Sequence, residues 1–248
     1  MYITLKLITL LALTIELICS KELPFLNAIE VPGAKVPIMR MFDNYAAHCK
    51  KEGERTLGMS SLAQIMHSLN AEALVTKMHD SLFSAIGDVE VRRLEGRWFS
   101  VVDTREVHAE ECSTTEIEII AQNVFTSTLS LITKVWNPGQ TPTTNTGIGL
   151  QMGPEPGELL LSTGHSMDKC PYVVVKTFNA NPGQPYDFIV LSQPLKYPTI
   201  VLARSTDLFQ EHKKQVYDFL EKNGYLSPMA ALNTRLHFVN VSACDFVE

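Results

Sequence analysis

The chain of 248 residues can bury roughly 70–75% of its unfolded surface, enough for one large domain or one domain with an extension. Apolar residues make up 45% and charged residues 19%, a balance that excludes wholesale disorder. A formal charge of −6 with no run of Lys or Arg excludes the clustered positive field of a non-specific nucleic-acid binder.

The first twenty residues carry one cation, Lys6, then an apolar stretch from Leu7 to Leu17 broken by Thr9, Thr14 and Glu16, then the small Ser20. That pattern reads as a secretory signal peptide cleaved near Ser20. A buried N-terminal helix is the rival, but Glu16 and the polar exit through Lys21 and Glu22 disfavour it. The run is shorter than the roughly 20 apolar residues of a membrane span, and no later stretch reaches that length. The mature chain is therefore expected to be exported, with no transmembrane segment. Export removes Cys19 and leaves Cys49, Cys112, Cys170 and Cys244, which allow two bridges in three connectivities. The sequon at Asn240, Val241 and Ser242 is compatible with N-glycosylation of Asn240.

Residues 21–89 read as a helical extension. After an irregular lead with Pro24, Pro32 and Gly33, apolar residues recur at helical spacing from Pro37 to Lys51. A second helix carries Leu62, Ile65, Met66, Leu69, Ala73, Met78, Leu82 and Ile86 on the 3.6 period, with Gly87 as its stop. Its bland role is to pack on the following domain; its methionines also suit a partner or lipid surface.

From residue 90 onward the pattern changes to short β-rich segments separated by Gly, Pro and Asn. Eight strands are expected: 97–103, 114–122, 124–136, 147–152, 158–163, 172–178, 186–191 and 199–204. A helix follows between Asp207 and Lys222, stopped by Gly224, and then a last strand from Leu236 to Val241. Such an order does not fit a doubly wound fold, which alternates strands with helices.

Signals of chemistry are thin. Gly164-His165-Ser166-Met167-Asp168 starts like a nucleophile elbow but lacks the closing Gly and the strand–turn–helix context, so it reads as a connecting turn. His108, Glu110, Glu111 and Cys112 offer metal-ligand types, yet no second cluster adjoins them in sequence, so they read as a loop. Gly147, Gly149 and Gly153 open no helix and make no phosphate cradle. No catalytic set, metal or cofactor is expected.

Two motifs carry a resemblance. Gly96-Arg97-Trp98 opens the first strand, and the strand Val201-Leu202-Ala203 ends in Arg204 just before the terminal helix. Together with the strand count, this resembles the lipocalins, particularly the apolipoprotein D-like branch, over about residues 90–246. The resemblance implies a mainly β fold: an eight-stranded antiparallel up-and-down barrel with a C-terminal helix and strand, preceded by the helical extension. It makes Gly96, Trp98 and Arg204 structural, closing the barrel floor with the Arg over the Trp ring. It also implies a Cys112–Cys244 bridge fastening the C-terminal tail, with Cys49–Cys170 as its remainder. The family's Thr-Asp-Tyr motif is reduced here to Thr177 in Lys176-Thr177-Phe178-Asn179, so no receptor contact is inferred from it. The long N-terminus and the cysteines are similar to lipocalin-related secreted proteins of nematodes, which implies a role in apical extracellular matrix or lipid handling.

A closed barrel with apolar residues on its strands implies a cavity for a small hydrophobic ligand such as a fatty acid, sterol or retinoid. Leu129, Leu131, Leu160, Val174, Phe188 and Val190 are the expected lining, subject to register, since a slip of one residue reverses every side chain. The expected function is that of a secreted carrier. An extracellular matrix protein with a filled barrel, engaging a matrix or receptor partner, is the alternative, and a lipid-modifying enzyme on the same barrel comes third.

Overall fold

The computed structural model describes residues 47–49, 85–124, 126–137, 139–154, 156–179, 183–226 and 236–239. The expected signal peptide, nearly all of the helical extension, Asn240 and Cys244 lie outside them. Runs of Val, Ile, Leu and Thr, which favour a pleated and half-buried surface, form eight strands. These are β1 Gly96–Thr104, β2 Cys112–Gln122, β3 Ser127–Trp136, β4 Thr143–Gln151, β5 Leu159–Ser162, β6 Tyr172–Phe178, β7 Phe188–Ser192 and β8 Thr199–Ala203.

Each strand is antiparallel to the next, and β1 pairs with both β2 and β8. This closes an eight-stranded up-and-down barrel, which leaves none of the eight with an open edge. β1 serves two neighbours by splitting its length: Gly96–Phe99 face β2, while Phe99–Val102 face β8. A ninth strand, β9 Leu236–Phe238, pairs with the far end of β1 from Val102 to Thr104.

One helix of more than a single turn is present among the described residues, α1 at Thr206–Lys222. Ser205 starts it by accepting a hydrogen bond on its side chain from the Leu208 N–H at 3.0 Å. Gly224 ends it at φ +72°, a conformation glycine adopts without strain. Its apolar stripe of Phe209, Val216 and Leu220 is buried against the outside of the barrel. Each such side chain contributes about 1.5–3 kcal/mol on leaving water.

Two apolar clusters result. The barrel interior holds Trp98, Ile117, Leu129, Leu131, Leu161 and Tyr172 among others. The outer cluster holds Val101, Leu160, Phe188 and Val190 with the stripe of α1.

Three local expectations need correction. Ile86 is not helical; its N–H donates to the Val174 carbonyl at 2.9 Å, so the approach to the barrel leans on β6. Val124 is 87% exposed in the β2–β3 turn and belongs to no strand. Asn123 makes that turn by accepting the Thr126 N–H at 2.8 Å on its side chain, a local bond that outweighs β-propensity. β4 begins at Thr143, ahead of the start expected at residue 147.

Candidate functional site

At the start of β1 the Trp98 indole is fully buried and donates its N–H to the Leu94 carbonyl at 2.7 Å. The Arg204 guanidinium lies over that ring, 3.8 Å from its centroid. It also donates to the carbonyls of Arg93 at 2.9 Å and Tyr186 at 3.2 Å. Gly96, Trp98 and Arg204 thus form one packed end of the barrel, with Leu94 in the same apolar cluster.

Strand parity sorts the six expected lining residues into two groups. Leu129, Leu131 and Val174 belong to the interior cluster with Trp98. Leu160, Phe188 and Val190 instead belong to the outer cluster under α1, and their neighbours Leu161, Ile189 and Leu191 point inward. These strands are buried on both faces, as the all-buried run Phe188–Ser192 shows. Alternation of polarity is therefore absent, and the sequence carries no sign of which face is which.

A pocket in the interior lies at the opposite end, around the last residues of β1, and measures about 40 Å³. Its apolar walls include Leu131, Leu191, Ile200 and Leu202, with Thr115 and Thr133 between them. The two threonine hydroxyls are 2.9 Å apart and hydrogen-bonded across β2 and β3.

The rim of this space is a cluster of ionisable groups that two distant loops bring together. Residues 105–111 between β1 and β2 supply His108 and Glu110, and residues 163–171 between β5 and β6 supply His165 and Asp168. His108 is 8% exposed and lies between two carboxylates, with Nδ1 2.6 Å from Asp103 Oδ1 and Nε2 3.2 Å from Asp168 Oδ1. Tyr172 donates its hydroxyl to the same Asp168 oxygen at 2.7 Å, and Thr163 donates to the other. His165 Nε2 is 3.0 Å from Glu110 Oε1, and its ring meets that of His108 edge-on with centroids 4.7 Å apart. The Met167 N–H donates to His165 Nδ1 at 3.2 Å, so the hydrogen on Nε2 is directed at Glu110.

Charge follows from this geometry. Burial by itself would lower the His108 value, but the hydrogen bonds and charges of Asp103 and Asp168 outweigh it and raise the imidazole to about 10. Burial likewise works against the Asp168 carboxylate, yet His108, Thr163 and Tyr172 hold its value below the ordinary one. Glu110 is lowered chiefly by its hydrogen bond to His165. Three carboxylates thus share one firmly protonated imidazole and a second histidine.

Each half of this cluster is visible in the sequence, and by itself each reads as a loop or a connecting turn. His108 and Asp168 are 60 residues apart, and only the β1–β2 and β5–β6 pairings decide that their loops meet at one end of the barrel.

Cys49 and Cys170 are disulfide-bonded, tying residues 47–49 to the same β5–β6 loop. Cys112 is also disulfide-bonded. It begins β2 opposite Trp136.

A family model described as "Lipocalin domain" matches residues 77–248. No curated protein matches the chain.

Proposed function

Because the chain belongs to the lipocalin family, we propose that it is an exported carrier whose barrel takes up a small hydrophobic molecule. Family and closed barrel together fit small-molecule binding. The observation that carries the reading is an interior of Leu131, Leu191, Ile200 and Leu202 that meets a polar rim at one end. A ligand entering there loses its apolar contact with water, worth roughly 25 cal/mol per Å². Leu129, Leu131 and Val174 are its proposed contacts; Leu160, Phe188 and Val190, packed under α1, are not.

The rim narrows the ligand class. Asp103, Glu110 and Asp168 repel a carboxylate, so among fatty acids, sterols and retinoids the neutral alcohols suit it best. A free space of about 40 Å³ admits water but is far below the roughly 300–1,000 Å³ of a pocket for such ligands. Uptake at this pocket therefore requires the side chains around it to move outward.

Export is supported by the apolar leader and by the bonded cysteines Cys49, Cys170 and Cys112, which suit an oxidising compartment. No helix among the described residues is long and apolar enough to cross a membrane. A Cys112–Cys244 bridge, a glycan on Asn240 and membership of the apolipoprotein D-like or nematode branch belong to the same reading.

The small free space favours one rival, an extracellular matrix protein whose barrel is filled by its own side chains. Titration of the secreted protein with retinol or cholesterol, followed by Trp98 fluorescence, separates the two. The carrier reading expects saturable quenching near one equivalent that a second hydrophobe reverses. Unchanged emission together with retained binding to a matrix polymer supports the rival.

A further inference from the structure

The geometry points to a binding site for a divalent transition metal of the zinc class at the rim of the barrel, held by His108, His165 and Asp168 with Glu110 as fourth ligand. Ligand atoms of the first three lie within 4.8 Å of one another. Two contacts are hydrogen-bonded at slightly less than the spacing of neighbouring donors around a tetrahedral ion: His108 Nε2 to Asp168 Oδ1 at 3.2 Å, and His165 Nε2 to Glu110 Oε1 at 3.0 Å. With bonds of about 2.0–2.2 Å, adjacent donors of a tetrahedral zinc stand about 3.3–3.6 Å apart. His108, His165 and Asp168 form the core of the site, and Glu110 joins it through its contact with His165.

Three further features single the cluster out from an ordinary ion-pair network. Asp103 holds His108 Nδ1 at 2.6 Å, the carboxylate–histidine arrangement that fixes the tautomer and orientation of a metal-binding imidazole. Asp168 is 5% exposed and is held by Thr163 and Tyr172, so its carboxylate is placed before any ion arrives. His108, Glu110 and His165 also line the pocket in the interior, which gives an ion room beside its donors.

The donor set decides the metal class. Two imidazoles with carboxylates suit zinc, cobalt or nickel, whereas calcium and magnesium take oxygen donors. Coordination through His108 Nε2 releases to solvent the proton that the empty cluster holds there, and the dication takes that proton's place between His108 and Asp168 among three carboxylates. Four protein donors leave no open position for water chemistry, so the ion acts as a clasp joining the β1–β2 loop to the β5–β6 loop. The site does not rest on the carrier reading and stands whether or not the barrel takes up a lipid.

The test is Co²⁺ titration of the full-length secreted protein after EDTA treatment, with its disulfides intact. The expected result is one equivalent of Co²⁺ giving the intense visible absorption of a four-coordinate ion, displaced by Zn²⁺. Asp103→Asn, which touches no metal, should weaken binding about 10–100-fold. His165→Ala and Glu110→Gln should lower affinity at least as much; both residues are partly exposed, so these variants keep the test alive if His108→Ala does not fold. Added Zn²⁺ should raise the melting temperature of the parent protein and leave that of His165→Ala unmoved. Absence of the spectrum, or an affinity unchanged in His165→Ala and Glu110→Gln, overturns the site and leaves a hydrogen-bonded network only.

Discussion

Gly96 sits at φ +99°, and a β-carbon there would lie 3.0 Å from Nη1 of Arg204. Any other residue meets both a backbone penalty of about 1–2 kcal/mol and the guanidinium that covers Trp98. Arg204 in turn combines the ring contact, roughly 0.5–2 kcal/mol, with bonds to carbonyls that its removal would strand. Arg204→Ala should therefore lower stability by about 2–3 kcal/mol in urea unfolding, and Arg204→Lys should recover only part of that loss. A midpoint unchanged in Arg204→Ala would contradict this role. His108 supplies a pH signature in the EDTA-treated protein. Its folded value of about 10 stands above the ordinary 6.5, so its contribution is full below about pH 6.5 and is lost as pH rises through about 10. Asp168 is lowered, so its contribution is present above about pH 3.8 and fades as pH falls through its folded value. Urea midpoints measured from pH 4 to 10 should hold level and then decline on the alkaline side. His108→Gln should flatten that alkaline decline, and a decline that survives the substitution assigns it to other groups.

Among the elements, β7 shows what a sequence leaves open. Phe188 to Leu191 are all buried, because odd positions face the interior while even ones face α1. The run announces a strand but cannot announce its faces. Where one face is wet the pattern is plain: in α1 the stripe Val216, Phe219 and Leu220 is readable, and the helix lies where its period puts it. β6 was legible to its ends, whereas β4 hid three polar residues, Thr143 to Asn145, in a segment that reads as loop. The two halves of the rim cluster are each visible in the sequence, but their meeting is not, because most of its members come from loops that no periodicity connects. Parity makes a testable contrast. Phe188→Ala should cost about 3–5 kcal/mol by opening a cavity under α1, while ligand affinity stays within about twofold because the residue faces away from the interior. Leu131→Trp should do the reverse, blocking uptake while the variant keeps its barrel circular dichroism. If Phe188→Ala weakens the ligand as much as it weakens the fold, the assignment of faces is wrong.

At the scale of the molecule, covalent and apolar ties converge on the two ends of one barrel. The Trp98 end is closed by packing, and the far end is reached by the Cys49–Cys170 bridge across a separation of 121 residues. Constraining a loop of that length stabilises by about 4–5 kcal/mol in the chain-entropy account. The paired change Cys49→Ser and Cys170→Ser should lower unfolding free energy by about that much, and a loss under 1 kcal/mol would place the segment around Cys49 among dispensable attachments. An apolar interior, an ionic rim and a bridged approach are the features on which the proposed carrier rests, with entry proposed at the rim. The most direct measurement of that claim is native mass spectrometry of the mature protein secreted from eukaryotic cells, repeated after denaturation. The carrier account predicts a hydrophobic molecule bound near one equivalent, released on unfolding and missing from Leu131→Trp. A folded protein that leaves the cell empty and then refuses retinoids, sterols and fatty acids alike would contradict it.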